Sequence, residues 1–109
     1  MASYSKHNVV LVRFPFTDLS GAKIRPAVVV SVAHTSQDVF IVPLTSKTDR
    51  LQSGEFVMHD WHGAGLNVKS AVKRGVYTIH QDLIVKQVGS ISSSDADALE
   101  QSLRSWLGL

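Results

Sequence analysis

Short apolar runs separated by polar residues predict a mainly β domain. Valine, isoleucine and leucine dominate the two clearest runs, 27–32 and 39–44, and β-branched residues favour strands. An earlier run at 8–13 has the same character, and weaker runs follow a polar stretch at 46–54. The predicted strands are 8–13, 27–32, 39–44, 55–59, 71–73, 76–80 and 83–88.

The spacing of apolar residues changes near residue 90 and predicts one C-terminal helix that packs on the sheet. Serines at 92–94 can cap its first turn, and Gly108 can end it. Five to seven short strands followed by one helix favour a small, strongly curved antiparallel barrel, mainly β within the α+β class. The apolar stripe of the helix consists of Ala96, Leu99, Leu103, Trp106 and Leu107.

Chain length and composition restrict the possible classes of protein. The 109 residues predict a single domain spanning 1–109. The chain has no cysteine, which excludes a disulfide scaffold and a thiolate zinc site and fits a reducing cytosol. No apolar run is long enough to span a membrane. We therefore expect a cytoplasmic protein without a membrane partner.

Positive charge is concentrated in the first two-thirds of the chain. The net charge is only +2, but the last fifth holds Asp95, Asp97 and Glu100 against a single Arg104. A basic body with an acidic last helix can present a face to a polyanion, although ordinary solubilising charge explains the same pattern. The basic residues of the body include Lys23, Arg25, Lys47, Arg50, Lys69, Lys73 and Arg74.

Two strand ends carry residue types that bind phosphate. Pro26 holds Arg25 extended just before the most apolar strand, and a guanidinium fork can grip two phosphate oxygens. Thr45, Ser46 and Lys47 end the next strand and offer hydroxyls beside a cation. If these two strands pair as a hairpin, Arg25 and Thr45 lie at the same end. A surface arginine and a simple threonine turn are the structural alternatives.

Other candidate residues are more scattered along the chain. Phe14 and Phe16, with the loop to Lys23, can supply stacking surfaces and a lid, unless a phenylalanine belongs to the core. His80 ends a strand and can either transfer protons or have a structural role. The histidines lack the spacing of a metal site, so no metal is expected. The sequence has no glycine-rich phosphate loop and no nucleophile elbow.

Taken in order, these segments resemble the MazF/PemK family of toxins along residues 8–107. The segment VVLVRFPFTDLSGAKIRPAVVVS is similar to the first hairpin of that family, and VPLTS resembles its strand ending in Leu-Thr. Each motif alone is loose, whereas their order and spacing together are fairly specific. Further similar positions are Asp60-Trp61, Gly65-Leu66, Ser70 and Thr78-Ile79.

The resemblance implies an SH3-like barrel with a C-terminal helix, a homodimer, and a sequence-specific endoribonuclease that cuts single-stranded mRNA. It implies that Arg25 and Thr45 are the catalytic pair. Without metal or cofactor, the RNA 2′-OH would attack the adjacent phosphate and leave a 2′,3′-cyclic phosphate and a 5′-OH. A cognate antitoxin would inhibit the enzyme. The residues expected to contact RNA are Phe16, Thr17, Lys23, Ser46, Lys47, Lys73, Arg74 and His80.

Two departures from the family pattern leave the general base unassigned. The first strand begins with His7-Asn8 where the family usually has Gly-Asp. Arg74-Gly75 stands where many members carry an acidic residue, often followed by glutamine. Two other classes therefore stay open beside the ribonuclease. One is a gyrase-poison-like toxin that binds its target without cutting, and the other is a degenerate barrel kept as an interaction module.

Overall fold

The computed structural model describes residues 4–14 and 23–109, and the predicted strands and helix occur in it. Strand β2 begins at Lys23 rather than at Ala27, because its first residues still pair with β1, with Phe14 opposite Lys23. A 3-10 turn at Gln81–Leu83 precedes the last strand. The other elements are β1 Asn8–Phe14, β2 Lys23–Val29, β3 Asp38–Thr45, β4 Phe56–Val57, β5 Ala71–Val72, β6 Tyr77–His80, β7 Ile84–Ser90 and α1 Ser93–Leu107.

In the described part of the chain, the strands pair antiparallel throughout. β1 lies between β2 and β7, and β2 pairs in turn with β3. The far edge of β3 is shared, since β6 pairs with residues 38–41 and β5 with residues 44–45. The terminal strands β4 and β7 do not pair with each other in the described ranges, so the sheet is open. The small curved barrel expected from the sequence is confirmed only in part: the antiparallel sheet and the C-terminal helix are present, but the sheet does not close within the described ranges, and β4 and β5 have only two residues each.

Both faces of the central strands are buried. Alternate residues of a strand point to opposite sides of the sheet. On one side, which we call the helix side, Val28 and Val42 pack with Leu99 of α1. On the other, which we call the far side, Ala27 and Ile41 belong to a second core. These strands therefore read as continuous apolar runs instead of alternating with polar residues.

Helix α1 lies on the sheet, as its apolar spacing predicts. Leu99 is buried and Trp106 is half-buried against the helix-side core. Trp106 Nε1 donates to the carbonyl oxygen of Ser53 at 3.0 Å, and Ser102 Oγ donates to that of Gly54 at 2.6 Å. The helix therefore also fastens the polar loop that precedes β4.

The two ends of α1 have the predicted caps. Ser92 Oγ accepts the backbone N–H of Asp95 at 3.2 Å, and Gly108 ends the helix in a left-handed conformation with φ of 71°. The buried Asp95 carboxylate accepts two further backbone N–H groups, from His59 at 2.8 Å and Asp60 at 3.0 Å. The start of the helix is thereby tied to the turn that follows β4.

Candidate active site at the end of the β2–β3 hairpin

The register of the hairpin brings Arg25 and Thr45 to the same end. Ala27 pairs with Pro43, which confirms the predicted pairing of the two strands. Continuing this antiparallel register by two residues sets Arg25 opposite Thr45. Two clefts open at this end of the hairpin, and both residues line each of them. The arrangement places a guanidinium and a hydroxyl on the boundary between the clefts.

Thr45 has its hydroxyl oxygen fixed by a turn. The residue ends β3 and is half-buried, and the backbone N–H of Lys47 donates to Thr45 Oγ1 at 3.1 Å. This is the threonine turn expected as the structural alternative. The bond uses a lone pair of the oxygen, so the hydroxyl proton can still be donated to an acceptor in the cleft. The turn and the donor role are therefore compatible.

Arg25 combines a fixed backbone with an accessible head group. The residue is exposed, whereas Ala27, two positions further along β2, is fully buried. No carboxylate among residues 4–14 and 23–109 makes an ion pair with Arg25. Its guanidinium presents a planar fork of donors that matches the oxygens of a phosphate.

The cleft on the far side, which we call the aromatic cleft, has a volume of about 260 Å³. Phe14 and Tyr77 form one wall, with ring centroids 6.3 Å apart and ring planes at 79°. Phe14 is 3% exposed and belongs to the core, whereas Tyr77 is 39% exposed. Lys47 and Lys73 line the cleft beside Arg25 and make its rim positively charged.

The cleft on the helix side, which we call the helix-side cleft, is larger, at about 510 Å³. Ile24 and Val68 line it and are 52% and 54% exposed, and Lys86 of β7 adds a cation. Residues at odd and even positions of β2 point to opposite sides of the sheet. A chain that passes Arg25 and Thr45 can therefore enter one cleft before them and the other after them.

Some of the predicted RNA-binding residues line the two clefts, and others lie outside them. Lys47 and Lys73 line the aromatic cleft, and Ser46 lines the helix-side cleft. Lys23 is exposed at the start of β2, and Arg74 is exposed after β5, both outside the two clefts. The remaining predicted positions in the loop after β1, Phe16 and Thr17, lie outside the described residues.

His80 lies at the other end of β3. It pairs with Asp38, which places it about 23 Å from Thr45 along the strand, at about 3.3 Å per residue. Its Nδ1 accepts the backbone N–H of Asp82 at 3.1 Å and caps the 3-10 turn. This geometry fits a structural role for His80 and does not bring it to either cleft.

The Glu55 carboxylate lies beside Arg74-Gly75, the segment that has no acidic residue of its own. Glu55 accepts the backbone N–H of Gln52 at 2.7 Å and that of Arg74 at 2.8 Å. The bond from Arg74, then that from Gln52, holds the pKa of Glu55 below its ordinary value, and the Lys73 and Arg74 charges add to the effect. Glu55 lines neither cleft, and a carboxylate with a lowered pKa is a weak base. It is therefore a structural group.

Among the cleft residues that sequence reasoning misses are Tyr77 and Lys86. Only the spacing of two residues between Tyr77 and the buried Ile79, which places both on one face of β6, indicates that the Tyr77 ring points to the far side. Lys86 reaches the helix-side cleft because β7 returns beside β1 and pairs it with Leu11. No local pattern encodes that long-range pairing.

The described part of the chain has neither a metal-ligand cluster nor a membrane-spanning helix. Residues 4–14 and 23–109 contain no cluster of three or more histidine, cysteine, aspartate or glutamate side chains able to hold a metal ion. In the same ranges, no helix has both the length and the apolar character needed to cross a membrane.

The small antiparallel sheet with its C-terminal helix is a fold that is also found in known toxins. The family described as PemK-like, MazF-like toxin of type II toxin-antitoxin system matches residues 5–107. The chain therefore belongs to this toxin family. A comparison with curated protein sequences gives no significant match.

Solved structures of MazF proteins have the same fold. MazF from Deinococcus radiodurans superposes with a TM-score of 0.79 at 19% identity, covering 100% of both chains. An endoribonuclease from a mycobacterial species, solved in complex with its cognate antitoxin, gives 0.75 at 20% identity, covering 98% of this chain and 97% of that one. Toxin MazF-mt6 of Mycobacterium tuberculosis gives 0.72 at 20% identity, covering 94% and 97%.

Proposed function

We propose that this toxin is an endoribonuclease that cuts single-stranded mRNA at Arg25 and Thr45 without a metal ion. The observation that carries the proposal is the placement of this guanidinium and this hydroxyl across the hairpin end, where the two clefts meet. Family membership supports the proposal, as do the structural neighbours that are named endoribonucleases. The SH3-like barrel that the resemblance implies is, in this chain, an open antiparallel sheet with a C-terminal helix.

The proposed reaction is an internal transfer at phosphorus. The RNA 2′-oxygen forms a bond to the adjacent phosphorus as its proton leaves, and the bond from phosphorus to the 5′-oxygen breaks as that oxygen is protonated. The products are a 2′,3′-cyclic phosphate and a 5′-OH. Negative charge builds up on the non-bridging oxygens, where the Arg25 fork binds and Thr45 donates its hydroxyl proton. No carboxylate is assigned to proton transfer, since Glu55 is engaged elsewhere.

The test is incubation of the purified toxin with a fluorescent single-stranded RNA in excess EDTA. We expect cleavage to persist, because the described residues offer no metal-ligand cluster. The upstream fragment should resist phosphatase until acid opens its cyclic phosphate, and the downstream fragment should accept phosphate from a kinase at its 5′-OH. Loss of cleavage in EDTA with recovery on adding Mg²⁺ would contradict the metal-free reaction. A toxin that arrests growth but cuts no RNA would support the gyrase-poison class.

We also propose that a cognate antitoxin neutralises the toxin by covering the site. The clefts combine exposed apolar walls at Ile24 and Val68 with the cations Arg25, Lys73 and Lys86. An acidic segment with apolar anchors is complementary to such a surface. A structural neighbour, an endoribonuclease, was solved in complex with its cognate antitoxin, which supports an antitoxin partner for this chain.

We further propose that the toxin is a homodimer. Val32 and Phe40 are 73% and 48% exposed and line one apolar cleft with Val30, which also packs on the helix-side core. Leu107, predicted to pack on the sheet, is instead 56% exposed. A small domain gains stability when a second copy covers apolar surface of this kind.

Sedimentation velocity at tens of micromolar is expected to give a dimer for the wild-type toxin. Phe40→Ser should shift the population toward monomer, because it places a hydroxyl in the proposed contact. Val85→Ser is the matched control, since Val85 is 44% exposed on β7, outside that cleft, and should stay dimeric. A wild-type monomer at this concentration would reject the homodimer.

A further inference from the structure

We propose that Tyr77 is the platform on which a nucleobase next to the cleaved phosphate stacks. The inference rests on the proposed ribonuclease function and assigns a specificity and positioning role within it. Tyr77 lines the aromatic cleft together with Arg25 and Thr45, and 39% of its surface is exposed. A base whose phosphate lies against this pair therefore reaches the tyrosine ring within one nucleotide.

Tyr77 is positioned by contacts with the core. As the first residue of β6 it pairs with Ile41, and it shares its side of the sheet with Ile79, which is 3% exposed. The Phe14 ring meets it nearly at right angles, at 6.3 Å between centroids. Phe14 is itself buried, so the perpendicular contact orients the tyrosine without using all of its surface.

Gly75 provides the space for this ring. A Cβ at position 75 would lie 3.0 Å from Tyr77 Cε2 and 3.2 Å from its hydroxyl oxygen, and Gly75 has a φ of 153°. Just before it, the backbone N–H of Lys73 donates to the carbonyl oxygen of Pro43 at 2.9 Å, so the segment stays attached to β3. The missing side chain at Gly75 therefore leaves the room that the Tyr77 ring occupies in the cleft wall.

The chemistry of the cleft fits a nucleobase. Single-stranded nucleic acids are bound by aromatic side chains that stack on bases, beside cations that neutralise the backbone. Here Tyr77 supplies the ring, while Arg25, Lys47 and Lys73 supply the positive charge around it. An apolar side chain of an antitoxin is the competing occupant of the same wall, and the experiment below separates the two.

The experiment measures binding and cleavage separately. For binding, the RNA carries a 2′-deoxy substitution at the cleavage site, which removes the attacking hydroxyl, and 2-aminopurine at one position at a time. Stacking on Tyr77 is expected to quench the fluorophore at one position beside the cleaved bond. Tyr77→Leu should abolish that quenching and raise KM about 10–100-fold, the usual worth of one base stack, with kcat changed far less.

Three further variants guard against misfolding and indirect effects. Tyr77→Phe keeps the ring and should restore most of the affinity lost in Tyr77→Leu. Gly75→Ala keeps the tyrosine but crowds it, and should raise KM in the same direction. Val76→Ala is the matched control on the neighbouring residue, which is 40% exposed, lies outside the aromatic cleft and should leave KM unchanged. Circular dichroism checks that each variant is folded.

The outcomes distinguish the platform from the proposed function. If the wild type cleaves RNA and folded Tyr77→Leu keeps both its quenching and its KM, the platform is rejected and the ribonuclease stands. If the wild type quenches the fluorophore through Tyr77 but cuts no RNA, the ribonuclease fails, and the base-stacking role of Tyr77 stands without its link to a cleaved phosphate. Loss of antitoxin affinity in Tyr77→Leu with unchanged RNA binding would assign the ring to the antitoxin and overturn the proposal.

Discussion

Replacing Arg25 by alanine is expected to abolish RNA cleavage and leave the fold intact. A single arginine that neutralises charge at a phosphoryl-transfer transition state is worth about 10³–10⁵-fold in rate. The head group of Arg25 is exposed and forms no ion pair among the described residues, so its removal leaves no buried partner unsatisfied. Arg25→Lys should remain poor, because a point charge cannot replace the planar fork. The measurement is initial cleavage of a fluorescent RNA oligonucleotide, with circular dichroism as the folding control.

Variants of two other residues make this result specific. Thr45→Ala should lower the rate by about 10²–10³-fold, the usual effect of deleting one preorganised donor, while Thr45→Ser keeps the hydroxyl and should retain more activity. Arg104→Ala removes an equal charge from the exposed face of α1, where the arginine approaches Glu100 at 4.0 Å, and should cleave like the wild type. A folded Arg25→Ala that cleaves at the wild-type rate would move the active site elsewhere.

The candidate pair could be predicted from the sequence because strand order and strand ends are local properties. Arg25 precedes one apolar run and Thr45 ends the next, and a hairpin between consecutive strands is the simplest connection. The helix with its caps is equally local, since Ser92 and Gly108 act within one turn. Features of this kind depend on neighbours along the chain, which a single sequence displays directly.

The parts that sequence reasoning misses depend on contacts between distant segments. Whether the predicted barrel closes depends on how long β4 and β5 are. Their lengths become clear only when their pairing partners are known. The sequence leaves His80 open between proton transfer and a structural role, and it becomes clear only from the pairing with Asp38 that His80 lies at the far end of β3. The position of the Tyr77 ring depends on its contact with Phe14 and on the missing side chain at Gly75. All of these features depend on how the strands pair. Side chains alternate between the two faces of a strand, so a shift of one residue in the pairing turns each side chain to the other face, and a short strand has few residues that specify one pairing.

Replacing Asp95 by alanine is expected to destabilise the folded toxin by about 3–5 kcal/mol, given that a hydrogen bond to a charged group is worth about 1.5–3 kcal/mol. The carboxylate is 3% exposed and accepts the backbone N–H groups of His59 and Asp60, one on each oxygen. Alanine would leave both donors without this acceptor in the folded state. Urea unfolding, followed by circular dichroism, gives the change in the free energy of unfolding.

Two further variants, Asp95→Asn and Asp97→Ala, separate the loss of the Asp95 hydrogen bonds from the loss of a negative charge on the helix. Asp95→Asn keeps one acceptor oxygen of the two and should fall between the wild type and Asp95→Ala. Asp97→Ala removes an exposed carboxylate from the same helical turn and should cost only about 0.3–1 kcal/mol through the helix dipole. If Asp95→Ala is no less stable than Asp97→Ala, the Asp95 bonds do not support the fold. The turn that Asp95 holds leads to Leu66 and Val68 of the helix-side cleft, so folded Asp95→Asn should also weaken RNA binding.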